Sequence, residues 1–175
     1  LDFEATDEER FPALRLARAY LDSRHYGRAI AAALAAIQLQ ADSADAWLVL
    51  GIASRYLNAY AKAEAALLRA LELTPSSAEA MKELAMCRYE RGDYELAAAG
   101  FRRAREAAPD SLDAAWLDLL AHPRFLADAA QAQSAARRFE QGLEQAIALI
   151  EANPHWDRAL HAAAWIKPFH LHYYA

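Results

Sequence analysis

The strongest signal in the chain is a hydrophobic pattern that returns every 34 residues. Tyr26, Tyr60 and Tyr94 are related by that step, as are Leu16, Leu50 and Leu84, Ala29, Ala63 and Ala97, and Ala36, Ala70 and Ala104. A fixed period of this length marks stacked supersecondary units and takes precedence over reading each helix alone. The clearest unit covers residues 44–77, with Trp47, Leu50, Gly51, Tyr60, Ala63, Leu67, Ala70 and Pro75. The next, 78–111, carries Leu84, Ala85, Gly92, Tyr94, Ala97, Phe101, Ala104 and Pro109, and a weaker unit, 10–43, carries Leu16, Ala17, Tyr20, Tyr26 and Ala29. Each predicts two helices, near 10–23 and 27–41, 44–57 and 61–73, 78–91 and 95–107. Small residues (Ala17, Gly51 and Ala85, then Ala29, Ala63 and Ala97) let two antiparallel helices approach closely, while Trp47, Leu50, Tyr60, Leu67 and Phe101 fill the space around them. Pro75 and Pro109 stop the second helix of their units.

Beyond Ser111 the period degrades. Residues 112–120 read as one more first helix, and His122-Pro123 breaks it. A long amphipathic stretch over 126–152 follows, with Phe139, Leu143, Ile147 and Ile150 on one face. Asn153-Pro154 ends that stretch, a short helix is expected over 155–166, and an aromatic tail follows Pro168. The expected organisation is an acidic lead-in (1–9), three repeats (10–43, 44–77, 78–111), divergent capping or linker helices (112–167) and a tail (168–175) leading to a further domain. Leu1 is not an initiator methionine, which fits a piece of a longer protein.

At these positions the chain resembles the tetratricopeptide repeat, whose pattern is W-x2-L-G-x2-Y, then A-x3-F, then P, over 34 residues. The resemblance implies an all-α fold, a right-handed α-solenoid of antiparallel helix pairs in which each pair covers apolar surface of its neighbour. It also implies that the first helix of each pair lines a concave groove through positions 2, 5, 9, 12 and 13 of the repeat. On this chain those positions select Phe11, Leu14, Arg18 and Leu21, then Leu48, Ile52, Arg55 and Tyr56, then Lys82, Met86 and Tyr89. Asp22, Asp45, Glu79 and Glu90 occupy the remaining ones. Apolar, aromatic and arginine side chains in one stripe suit a protein or peptide contact. The same stripe could instead pack on the chain's own terminal helices, or pair with a second copy.

Two groove chemistries of the family are missing. Repeats that clamp a chaperone's C-terminal carboxylate carry Lys and Asn at positions 5 and 9, where this chain has Leu14 and Arg18, Leu48 and Ile52, and Lys82 and Met86. Repeats of the O-GlcNAc transferase type carry Asn at position 6, here Arg15, Val49 and Glu83. A second resemblance lies in the last third. Ala135-Ala136-Arg137-Arg138-Phe139, Gly142-Leu143 and then Lys167-Pro168-Phe169-His170-Leu171-His172-Tyr173 are similar to the stretch joining repeats to the catalytic domain in bacterial SPINDLY-type glycosyltransferases. That similarity implies a partner- or substrate-recruiting region of a larger nucleotide-sugar-dependent enzyme, whose catalytic residues would all lie beyond Ala175. The competing expectation is a free-standing adaptor with no enzyme attached.

Composition narrows the field further. Of 175 residues 56% are hydrophobic, yet mean hydropathy is only -0.11, because 46 residues are alanine. With 5 Gly and 6 Pro the chain is poor in turn residues, which argues against a β-sandwich, a collagenous repeat or a glycine-looped nucleotide domain. Net charge is -5 and the basic residues are scattered, so there is no footprint for nucleic acid. Charged residues interrupt every apolar run before it could span a membrane, and a cytoplasmic location is expected. The single cysteine, Cys87, has no internal partner for a disulfide. His170 and His172 are spaced as a ligand pair in an extended segment but have no Cys, Asp or Glu nearby in sequence to complete a site. No nucleophile elbow or phosphate-binding glycine loop is present. The segment is expected to use no cofactor and to catalyse nothing.

Overall fold

The computed structural model describes residues 12–123 and 126–152. Among them are eight helices and no strand: α1 (Pro12–Asp22), α2 (Tyr26–Leu39), α3 (Ala44–Tyr56), α4 (Tyr60–Leu73), α5 (Ala78–Arg91), α6 (Tyr94–Ala107), α7 (Leu112–Leu120) and α8 (Ala129–Glu151). The expected lead-in, the helix over 155–166 and the aromatic tail lie outside the described residues. The chain forms two compact units, 1–87 and 88–175, with α5 running across the division.

Helix starts and stops repeat with the sequence. Ser43, Ser77 and Ser111 stand 34 apart, and each side chain accepts a hydrogen bond from the backbone N–H three residues on, at 3.2–3.3 Å. These caps satisfy donors that the first turn of α3, α5 and α7 leaves unpaired. At the other end, α1, α3 and α5 close through left-handed residues at the same spacing, Arg24 (φ 61), Asn58 (φ 59) and Gly92 (φ 91). The pairs of bonds His25 N–H to Tyr20 O with Arg24 N–H to Leu21 O, and Ala59 N–H to Ser54 O with Asn58 N–H to Arg55 O, form the Schellman closure; Asp93 and Gly92 repeat it on Arg88 and Tyr89.

In the first unit alanine makes the helix contacts. Ala17, Ala29, Ala33 and Ala46 have no exposed surface, and Leu14, Ala32, Ala36, Val49 and Ala53 complete their cluster. A second cluster joins Leu48 and Ile52 of α3 to Leu67 and Ala70 of α4 and to Ala80 and Leu84 of α5. Gly51 sits where a Cβ would come within 2.5 Å of Leu67 Cγ, so the α3–α4 approach depends on its missing side chain.

The second unit is held by Ala97, Phe101 and Ala104 of α6, Ala114, Leu117 and Leu120 of α7, and Ala132, Ala135, Gly142 and Ala146 of α8. A Cβ on Gly142 would run into the backbone carbonyl of Leu119, so α8 crosses α7 at backbone contact. Of the four large residues expected on one face of α8, Phe139, Leu143 and Ile150 are half-buried beside the small residues that form the seam, whereas Ile147 is 46% exposed. Helix α8 also begins at Ala129 rather than 126, because Asp128 caps it by accepting from Gln131 N–H at 2.8 Å.

Candidate binding groove

Helices α1, α3 and α5 present the positions expected to line a groove, and the structure sorts them by how much surface they offer. Phe11 lies outside the described residues. Leu14 is 1% exposed and belongs to the first core cluster; Arg55 is 2% exposed and Met86 6%. These three are interior residues with little exposed surface. Leu48 and Ile52 are buried at their bases in the second cluster, whereas Arg18, Leu21, Tyr56 and Lys82 are half-exposed. Tyr89, also half-exposed, belongs to the second unit, where its ring packs at 6.2 Å on Phe101.

Arg55 is interior because it has a partner. Its Nε and Nη2 donate to Glu83 Oε2 at 3.1 and 2.9 Å, and its guanidinium lies 4.4 Å from the centre of the Tyr56 ring. The pair joins position 12 of one repeat to position 6 of the next. Lys82 Nζ adds a weaker contact, 4.0 Å from Glu83 Oε1. On the same surface Arg18 Nη2 pairs with Asp45 Oδ2 at 2.8 Å.

Beside that pair is an open pocket of about 260 Å³ within the first unit. Leu21, Ile52 and Tyr56 line it, and so do Asp22 and Glu79, which hold two of the remaining repeat positions. Tyr26, Arg24 and Glu83 line it as well. Tyr26 comes from α2, a second helix, and stacks on Tyr56 with ring centres 4.6 Å apart and planes 3° from parallel. Its 34-residue relatives do other work: Tyr60 donates to Asn58 Oδ1 at 2.8 Å, and Tyr94 donates to Ala121 O at 3.0 Å while receiving the Arg138 guanidinium. Burial pushes the Tyr56 phenol above its ordinary value of 10.0, opposed in part by Arg55. No signal in the sequence brings Tyr26 to this pocket, because the rule for the groove takes only first helices. Among the described residues no group of His, Cys, Asp or Glu side chains could hold a metal ion, and no helix is long and apolar enough to cross a membrane.

Comparison with known proteins agrees with this architecture. The family model described as tetratricopeptide repeat matches residues 14–78 and 53–111, overlapping windows that together run from 14 to 111. Among solved structures, MamA (41 to end) of Desulfovibrio magneticus RS-1 is similar with a TM-score of 0.67 at 13% identity, over 82% of this chain and 76% of that one. The TPR domain of Arabidopsis OM64 gives 0.58 at 22% identity, over 61% and 88%. A mutant O-GlcNAc transferase of Thermobaculum terrenum gives 0.61 at 22% identity, over 78% of this chain but 27% of that one. At such identities the likeness is one of fold. No curated protein matches the sequence significantly.

Proposed function

Because the chain belongs to the tetratricopeptide-repeat family, all-α proteins whose repeats mediate protein–protein contacts, we propose that it is a protein-interaction module that binds its partner along the first-helix face of residues 12–87. One observation carries this reading: the open pocket beside Tyr56, where a stacked tyrosine pair and Leu21 are half-exposed. Aromatic anchors in a recess are where binding energy concentrates in protein interfaces. Repeats of this family are non-catalytic in general, so the module recruits and does not react.

Photo-crosslinking from the full-length protein tests the reading. A benzophenone amino acid replacing Leu21 should capture a partner, whereas the same group replacing Leu68, 42% exposed on a second helix, should not. Equal capture from both positions, or capture from Leu68 alone, overturns it.

A finer reading makes this module the recruiting region of a glycosyltransferase-like protein. Its support is the order of Ala135 to Leu143 and the fold likeness to about a quarter of an O-GlcNAc transferase. Reading the coding sequence after Ala175 decides it. A nucleotide-sugar transferase domain there is expected, and a stop codon shortly after leaves a free-standing adaptor.

A further inference from the structure

We propose that the pocket beside Tyr56 takes the cationic side chain of a lysine or arginine in an extended partner peptide. The inference deepens the interaction reading above and rests on it.

The charges around the pocket are unequal. Three carboxylates line it, Asp22, Glu79 and Glu83, against one cation, Arg24. Glu83 is committed, bonded through Oε2 to the buried Arg55 and approached by Lys82 through Oε1. Asp22 and Glu79 stay at the solvent-exposed edge, so with Arg24 counted the opening keeps a negative excess.

The uncharged lining fits the rest of such a side chain. Leu21 and Ile52 give an apolar wall for the methylene stem, which long basic side chains bury while keeping the charged end in water. Tyr26, whose other face stacks on Tyr56, gives aromatic surface on which a guanidinium or ammonium is attracted to the ring. Behind the lining the protein uses the same arrangement: the buried Arg55 lies on Tyr56 at 4.4 Å with its charge on a carboxylate. A carboxylate ligand would meet Asp22 and Glu79 and have only Arg24 to answer it. The pocket is open, as a side chain entering from a longer chain requires, and a peptide running past it would meet the exposed Arg18–Asp45 pair on the same face.

The test uses the full chain and three synthetic pentapeptides, acetyl-Gly-Leu-X-Leu-Gly-amide with arginine, glutamine or glutamate at X. Binding is followed by NMR through the ring resonances of Tyr26 and Tyr56. The arginine peptide should shift both rings and bind about 10-fold more tightly than the glutamine peptide, the sum of one cation–π contact and one exposed ion pair. Asp22→Asn combined with Glu79→Gln should cut that preference to about 3-fold, the share of the cation–π contact, while leaving the circular-dichroism helix signal unchanged. Equal affinity for arginine and glutamine, or preference for glutamate, overturns the cation assignment and leaves the interaction reading standing. No shift of either tyrosine with any peptide overturns both.

Discussion

Arg24, Asn58 and Gly92 share one backbone conformation but pay different costs for it. All three close a first helix with positive φ, where a Cβ crowds the following carbonyl by about 1–2 kcal/mol. Gly92 avoids that cost, and Asn tolerates the conformation better than most residues. A Cβ on Gly92 would meet nothing within 4 Å, so substitution there isolates the backbone effect. Gly92→Ala should therefore lower stability in urea unfolding by about 1 kcal/mol. Arg24→Gly should raise it by up to about 1 kcal/mol, the relief of strain less the added entropy of glycine in the unfolded chain. Opposite signs are the expected result; a loss at both positions would count against the account. Some residue-scale features follow from the period and others do not. The small positions 8, 20 and 27 of every repeat are buried: Ala17, Gly51 and Ala85; Ala29, Ala63 and Ala97; Ala36, Ala70 and Ala104. Leu16 repeats with Leu50 and Leu84 yet is 47% exposed. Leu50 packs on the cluster of the preceding helix pair, and Leu16 has no preceding pair among the described residues.

Helices make a second level of contrast, because what decides their contact is the smallest residue on each. The 34-residue pattern places α1 to α6 to within a few residues, since caps, small positions and prolines all recur together. It does not reach the small-residue seam of α8. Of the expected stripe, Phe139, Leu143 and Ile150 are half-buried and Ile147 is exposed, while α8 meets α7 through Ala132, Ala135, Gly142 and Ala146, which carry little hydrophobic weight and allow close approach. The Arg55–Glu83 pair is equally hidden, because nothing in a 28-residue spacing between two charged side chains distinguishes a buried pair from two solvated ones. Two glycines separate packing from propensity. Gly142→Ala forces α8 off the Leu119 carbonyl and should cost about 1–3 kcal/mol, the usual penalty of overpacking. Gly27→Ala in the first turn of α2 meets nothing within 4 Å and should gain about 0.5–1 kcal/mol from helix propensity. Thermal melts of the two variants check this. A harmless Gly142→Ala would mean that α7 and α8 do not touch at that point.

Over the whole molecule, each of the two units carries a partly buried tyrosine whose ionisation links folding to pH. Burial raises the Tyr56 phenol above 10.0 against the pull of Arg55, and raises Tyr94 against the pull of Arg138. A phenol is uncharged while protonated, so as pH climbs past the unfolded value the unfolded chain releases its proton first. The unfolded state then binds fewer protons than the native state, and stability falls with rising pH. Each contribution is fully present below about pH 10 and is lost as pH rises through the folded value. Because Tyr56 lies in residues 1–87 and Tyr94 in 88–175, the losses can be read separately. A variant retaining only Trp47 reports the first unit and one retaining only Trp116 the second. In the Trp47 background, Tyr56→Phe should reduce the fall in urea midpoint between about pH 9 and about pH 11, because it removes one titrating group. Tyr94→Phe should do the same in the Trp116 background, from a lower starting stability, since it also gives up the bond to Ala121 O. If the alkaline loss is unchanged by either substitution, these phenols are not what couples the fold to pH. If each substitution acts equally on both reporters, the two units unfold together, and residues 1–175 behave as one cooperative array.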